Sequence, residues 1–343
     1  MRRTLTRLIT ALAVLAVLAL HPAPARAFGA RGHEVIGAIA DHLLNPNASR
    51  QVNRLLGMTL QVAATWADCV KDVHAGPHGF RYEPEPRQHL ACQAFETTAG
   101  IARMQDYVRR NWNCAAAGEP VSACHKTYHY ADVALQRDRY DRAYVGTSDH
   151  DIVSALLAAI DVLQARPAPA PFSIRDKREA LLMLAHFVGD VHQPLHVGAI
   201  YLDDDGHSVD PDTNPVPPDP NTSTRGGNAI DAGSTDLHAE WDQVRATWRP
   251  SAISAATLAA AHAIPASPNA LGAWPAAWAS ETLIAARTAY AVIDFAPQSA
   301  TTGHWAAHFD DRAAYHRMKT RLQTEQLTRA GARLAQVLNA LWP

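Results

Sequence analysis

The chain has 343 residues, 18 histidines, four cysteines and a formal net charge of −2. That length allows one large domain or two small ones. The near-neutral balance excludes the strongly basic profile of a duplex-binding protein. Apolar residues make up 48% of the chain, enough for a core that needs no help from disulfides.

In chain order, Arg2, Arg3 and Arg7 form a positive start, Leu8 to Leu20 a short apolar run, and Ala25-Arg26-Ala27 a small-x-small cleavage signal. Residues 1–27 therefore read as a signal peptide, and residues 28–343 as an exported mature domain, periplasmic or secreted. The run is too short to span a membrane comfortably, and no later run is long enough. Without the leader, 27 basic residues face 33 acidic ones, a net charge of −6. Any polyanionic partner must then be attracted by bound metal.

Helical spacing of apolar residues predicts helices over 33–44 and 63–73, and again over 149–164, which ends at the Pro-Ala run from Pro167. Ser173 is a candidate N-cap for a further apolar helix. Later helices are expected near 236–247, 252–263, 275–294 and 318–341. No run alternates with period two, so the fold reads as all-α, a single multi-helix domain with long loops. Residues 74–97 and 202–227 read as irregular. The second holds Asp203-Asp204-Asp205-Gly206, which resembles part of a calcium loop. A calcium ion over Asp203–Asp210 is the less favoured reading there, behind a solvated acidic turn. Cys69, Cys92, Cys114 and Cys124 are even in number in an exported chain, which suggests two disulfides. Four cysteines allow three pairings; Cys69–Cys92 with Cys114–Cys124 is the favoured one. The absence of a CxxC pair argues against a zinc-thiolate site.

The most telling stretch runs from His186 to His196. His186 and Asp190 are four apart and share one helix face, the arrangement by which a helix offers two ligands to one divalent ion. Pro194 cannot donate to the Asp190 carbonyl, so the helix should end or kink there and leave His196 free to face a different ion. A lone histidine on an apolar helix is ordinarily a hydrogen-bonded core residue. Several with an aspartate in eleven residues favour metal. His238 and Asp242 repeat the four-residue spacing, with Glu240 pointing elsewhere. Further clusters are His129-Tyr130-Ala131-Asp132, Trp66-Ala67-Asp68, and Phe28 to His33 at the expected new N-terminus. A free α-amine there has a pKa near 8 and can lose its proton to a metal.

Phe28-Gly29-x-x-Gly32-His33, Trp66-Ala67-Asp68-x-x-Lys71, His129-Tyr130-x-Asp132, His186-Phe187-x-Gly189-Asp190-x-His192-Gln193-Pro194-Leu195-His196, Gly226-Gly227-Asn228 and Leu237-His238-x-x-Trp241-Asp242 occur in that order. Together they resemble the S1/P1 nuclease family of trinuclear zinc, single-strand-specific nucleases and 3′-nucleotidases. The resemblance runs from Phe28 to Asp242 and implies the helical fold shared with zinc-dependent phospholipases C. It implies that Asp68, His129, His186 and Asp190 hold one zinc ion. His196, His238 and Asp242 would hold a second. The amine and carbonyl of Phe28, with His33 and the shared Asp190, would hold a third. Lys71 matches the family's catalytic-site lysine. Tyr130 and Asp132 match positions that stack on and hydrogen-bond a nucleobase. His192 lies in the motif but matches no ligand, and reads as structural. The chain departs from the family in having Phe28 where tryptophan is usual. The interval from Asp68 to His129 is also longer, as is the loop from Ala199 to Arg225.

The resemblance implies a hydrolase that cuts single-stranded DNA and RNA to 5′-nucleotides and acts on 3′-nucleotides, as a monomer with no membrane partner. Asp68 would orient the attacking water, and Lys71 would offset charge developing on phosphorus. Two competitors share parts of the pattern. A zinc-dependent phospholipase C has similar metal logic, but the final pair here is His238 with Asp242, where that group resembles His with Glu. A non-enzymatic zinc-binding protein would tend to saturate coordination, whereas this ligand set leaves room for water.

Overall fold

A computed structural model describes residues 28–86, 89–116, 119–213 and 220–343. The expected signal peptide lies outside the described residues. The architecture is helical: α1 Gly29–Leu43, α2 Pro46–Leu56, α3 Leu60–Ala63, α4 Trp66–Cys69, α5 His89–Cys92, α6 Thr98–Arg110, α7 Ile152–Leu163, α8 Lys177–Asp190, α9 Leu237–Asp242, α10 Ala255–His262, α11 Trp274–Tyr290 and α12 Arg312–Leu341. The strands are two to four residues long and form small ribbons, such as the antiparallel hairpin of 73–76 with 79–82.

Helix α8 lies at the centre. Every residue from Glu179 to Asp190 is buried. It packs between α1, α2, α7 and α12, and its apolar side chains belong to the main core cluster with Trp66, Trp278 and Leu334. A helix apolar on all sides is stable only when it is surrounded. Its start is fixed by ions. Asp176 accepts from the Glu179 amide at 2.8 Å, and buried Glu179 receives both Arg110 Nη2 bonds at 2.7 and 2.9 Å. The N-cap is thus Asp176 and not Ser173. The Ser173 carbonyl is instead taken by Arg110 and by Asn111.

Other elements also differ from expectation. The helix foreseen over 63–73 breaks into α3, α4 and a 3-10 turn Val70–Asp72, because the Thr65 hydroxyl bonds the Val62 and Ala91 carbonyls. Helices α2 and α6 and the 73–82 hairpin fall where no regular element was foreseen. Helix α8 ends at Asp190, short of Pro194, which begins a 3-10 turn through His196. The sulfurs pair as Cys69–Cys92 and Cys114–Cys124. The first bond ties α4 to α5.

Candidate metal centre

The end of α8 meets α1, α4, the 3-10 turn Cys124–His129 and α9 at one point. Gly189 makes the closest approach possible, since a Cβ there would sit 2.8 Å from His33 Nδ1. His33 therefore stacks flat on His186, with centroids 3.7 Å apart and planes 13° from parallel. Three triads of nitrogen and oxygen donors converge here: His33 with His186 and Asp190, Asp68 with His129 and His186, and His196 with His238 and Asp242. All eight of these residues are buried.

Asp190 joins the triads. Its carboxylate lies 2.8 Å from His129 Nδ1, 3.1 Å from His186 Nε2, 3.3 Å from His33 Nε2 and 3.9 Å from His196 Nδ1. Burial alone would raise its pKa, but the imidazoles of His186 and His196 and two hydrogen bonds hold it well below the usual range. Burial likewise acts against ionised Asp68, yet Lys71, 2.8 Å away, and His186, His33 and His129 outweigh it and depress the pKa. Burial opposes a charged His186, but Asp190 and Asp68 raise its pKa overall. Burial lowers the pKa of His33, His129 and His196. At the other end burial pushes His238 down to about 3 and Asp242 well up, the Gln193 amide only partly offsetting the latter.

The residues fit divalent metal on two counts. His186, His196 and His238 each place Nδ1 within 2.6–2.7 Å of a backbone carbonyl, those of Ala64, His129 and Gly226. An Nδ1–H donated there leaves the Nε2 lone pair aimed into the cluster, the usual outer-shell support of a metal-binding histidine. Buried atoms there also lack hydrogen-bond partners among the described residues: Asp68 Oδ2, His129 Nε2 and Asp242 Oδ2. Orphaned buried polar atoms are rare and ask for an occupant. The His196 and His238 Nε2 atoms stand 3.0 Å apart, two nitrogens that a shared cation would reconcile. An all-N/O donor set suits zinc.

Other expectations resolve as follows. Phe28 is fully buried at the start of α1, with its carbonyl accepting the Gly32 amide at 3.1 Å. His192 turns away, bonding the Val188 carbonyl and Arg333. Glu240 also turns away, towards Arg312. The Cys114 and Cys124 sulfurs beside His150 are tied in their disulfide. In the acidic loop, Asp203 Oδ1 accepts the Asp205 and His207 amides, and Asp210 and Asp212 both pair with Arg137.

Above the triads opens a cavity of about 390 Å³. Buried His129, His196 and His238 line it together with Lys71, Tyr130, Asp132, Arg225 and Asn228. Tyr130 is 39% exposed, an aromatic face offered to a ligand. Burial pushes the Asp132 carboxyl up to about 7, with Arg225 opposing. Sequence reasoning assigned no role to Gln193, whose amide donates to Asp242 Oδ1 at 2.9 Å while its Oε1 accepts the Leu195 amide at 2.5 Å. It also missed Arg225 and the orienting carbonyls of Ala64 and Gly226. A backbone acceptor carries no residue signature, so only Gln193, inside a recognised motif, and Arg225, adjoining one, were findable.

The sequence profile described as S1/P1 Nuclease matches residues 28–343. Endonuclease 2 of Arabidopsis thaliana is 28% identical over 199 residues, 56% of this chain and 53% of that protein. Endonuclease 1 of the same plant is 26% identical over 212 residues, 61% of this chain and 55% of its own. The chain thus spans about half the length of the curated relatives it matches.

Proposed function

Because the chain belongs to the S1/P1 nuclease family, we propose that it is a zinc-dependent hydrolase cutting single-stranded DNA and RNA to 5′-nucleotides, with 3′-nucleotidase activity. The observation that carries this reading is the convergence of three buried His/Asp triads, two of which reach one open cavity through His129, His196 and His238. Nine residues are assigned to three zinc ions: Asp68, His129, His186 and Asp190; His196, His238 and Asp242; and Phe28 with His33 and the shared Asp190. Bound zinc supplies Lewis acidity towards phosphoryl oxygens and brings the pKa of water to near 7.

The chain's own residues do the rest. Asp68, kept anionic by Lys71, accepts a hydrogen bond from the attacking water and so aims that water at phosphorus. Lys71 then faces the negative charge that grows there. Tyr130 and Asp132 seat an unpaired base. Stacking on an aromatic ring is worth about 1–3 kcal/mol per base, while flipping a base out of a duplex costs a few. That balance favours single strands.

Two disulfides support export to an oxidising compartment after cleavage before Phe28. Among the described residues no helix is long and apolar enough to cross a membrane. A monomer is the expected state, with residues 28–343 as one domain. The test is zinc stoichiometry on purified protein assayed against single-stranded DNA, RNA and a 3′-mononucleotide. Hydrolysis of all three with about three zinc ions bound is expected. A zinc-loaded protein inert on all three would end the nuclease reading, and release of phosphocholine from lecithin would replace it with a phospholipase. Intact mass of active protein should begin at Phe28.

A further inference from the structure

Arg225 stands on the lip of the cavity in a backbone conformation that L residues seldom adopt, with φ of 52°. It belongs to a tight turn in which the Arg225 carbonyl accepts both the amide of Asn228 at 3.1 Å and its side-chain Nδ2 at 2.7 Å. The next residue, Gly226, also has positive φ, and a Cβ there would meet the Leu195 carbonyl at 2.5 Å. The Gly226 carbonyl in turn orients His238, whose Nδ1 is 2.7 Å away. The turn is thus tied to His238, and the backbone that carries Arg225 is held in place beside the candidate metal centre.

The Arg225 side chain is exposed. Among the described residues its guanidinium makes no hydrogen bond or ion pair. It is near enough to Asp132 and Tyr130 to oppose the rise that burial gives both their pKa values, yet it closes on neither. A strained backbone that holds an unspent cation at the mouth of a polyanion site calls for an anionic ligand. The guanidinium fork matches phosphate oxygens bidentately. Tyr130 and Asp132 beside Arg225 are where the base of a bound nucleotide would lie, and the histidines are where its cleaved phosphate would lie. A neighbouring phosphate of the same strand is the anion left for the lip.

We propose that Arg225 binds a backbone phosphate adjoining the one being cleaved, and so makes this chain favour polynucleotides over mononucleotides. The inference rests on the nuclease reading above. It concerns a specificity-determining contact, outside the set of metal ligands.

The test uses zinc-loaded protein with Arg225→Ala and Arg225→Asn, the latter because asparagine tolerates the left-handed backbone. Kinetics are measured on an oligothymidylate and on thymidine 3′-phosphate, and binding on a phosphorothioate oligothymidylate by fluorescence anisotropy. Loss of one phosphate contact should raise the oligonucleotide KM roughly tenfold and flatten the dependence of log affinity on log salt by about 0.7. The oligonucleotide kcat and all mononucleotide kinetics should hold, as should zinc content. Arg317→Ala, at an exposed arginine paired with Asp311, should change nothing. An unchanged salt slope in both Arg225 variants, or an equal loss on the mononucleotide, would overturn the proposal. Wild-type protein that binds the oligonucleotide with an Arg225-dependent slope but cleaves nothing would instead sink the nuclease reading and leave the Arg225 contact standing.

Discussion

Helices α8 and α9 each present a histidine and an aspartate four residues apart, yet their surroundings shift the two carboxyl pKa values in opposite directions. Asp190 faces four imidazoles within 4 Å and is held ionised despite complete burial. Asp242 faces His238 at 3.6 Å and the neutral amide of Gln193, and burial drives its pKa well up. The spacing is the same; the company differs. Burial sets the direction of a carboxyl shift only when neighbouring charge is too weak to reverse it. The α8 pair is the hub of a charge network, whereas the α9 pair has fewer imidazoles and a neutral amide around its carboxyl.

That contrast predicts unequal damage. Asp190→Asn should be the most severe change, because it withdraws charge from histidines of all three triads. Loss of about two zinc equivalents, with activity down about a thousandfold or more, is expected. His238→Ala should remove about one equivalent and lower activity about a hundredfold, leaving the α8 side loaded. Metal analysis beside steady-state kinetics checks both. Equal zinc losses in the two variants would erase the distinction between hub and periphery. Gln193→Leu comes next. It unpairs Asp242 Oδ1 and the Leu195 amide without touching a ligand on α8. Zinc affinity at the α9 triad should fall about tenfold to a hundredfold, read by chelator competition. A loss spread evenly over all three ions would show that Gln193 supports the whole centre and not Asp242 alone.

The clustering of these histidines and aspartates was legible because helix geometry converts spacing directly into a shared face, as with His186 and Asp190 or His238 and Asp242. Helix α8 was legible from its unbroken apolar character, and α7 from its stripe from Ile152 to Leu163. The start of α8 was not, because Asp176 and Ser173 are both good caps and the choice is made by Arg110, far away in sequence. Helix α6 was missed for a different reason. Its buried stripe is only Met104, Tyr107 and Val108 amid arginines and glutamine, too thin for periodicity to register. The hairpin over 73–82 is mostly exposed on both faces, so it shows no alternation. The opposed pKa shifts of Asp190 and Asp242 could not be read at all, since they depend on how many imidazoles and hydrogen-bond donors the fold brings to each carboxylate.

Asp132 gives the gentlest test of that principle, outside the ligand set. Its carboxyl is pushed up to about 7 by burial, and the groups around it are Arg225, the Tyr130 hydroxyl and Tyr201, whose hydroxyl donates to the Asp132 carbonyl. None supplies the cluster of imidazoles and hydrogen bonds that holds the Asp190 pKa down. Folded protein therefore holds a proton on Asp132 over a range where the unfolded chain, with an ordinary carboxyl near 4, has released it. Because the folded state binds more protons there, stability falls as pH rises from about 4 to about 7 and levels off above. Asp132→Asn removes that dependence and keeps the shape. The melting temperature of the variant minus that of the wild type should be near zero at pH 4, grow by a few degrees up to pH 7, and then stay constant. Subtracting the two curves cancels titration of the metal ligands, which both proteins share. A difference that is flat with pH would mean Asp132 is ionised throughout, and that the single guanidinium of Arg225 suffices to do for Asp132 what four imidazoles do for Asp190.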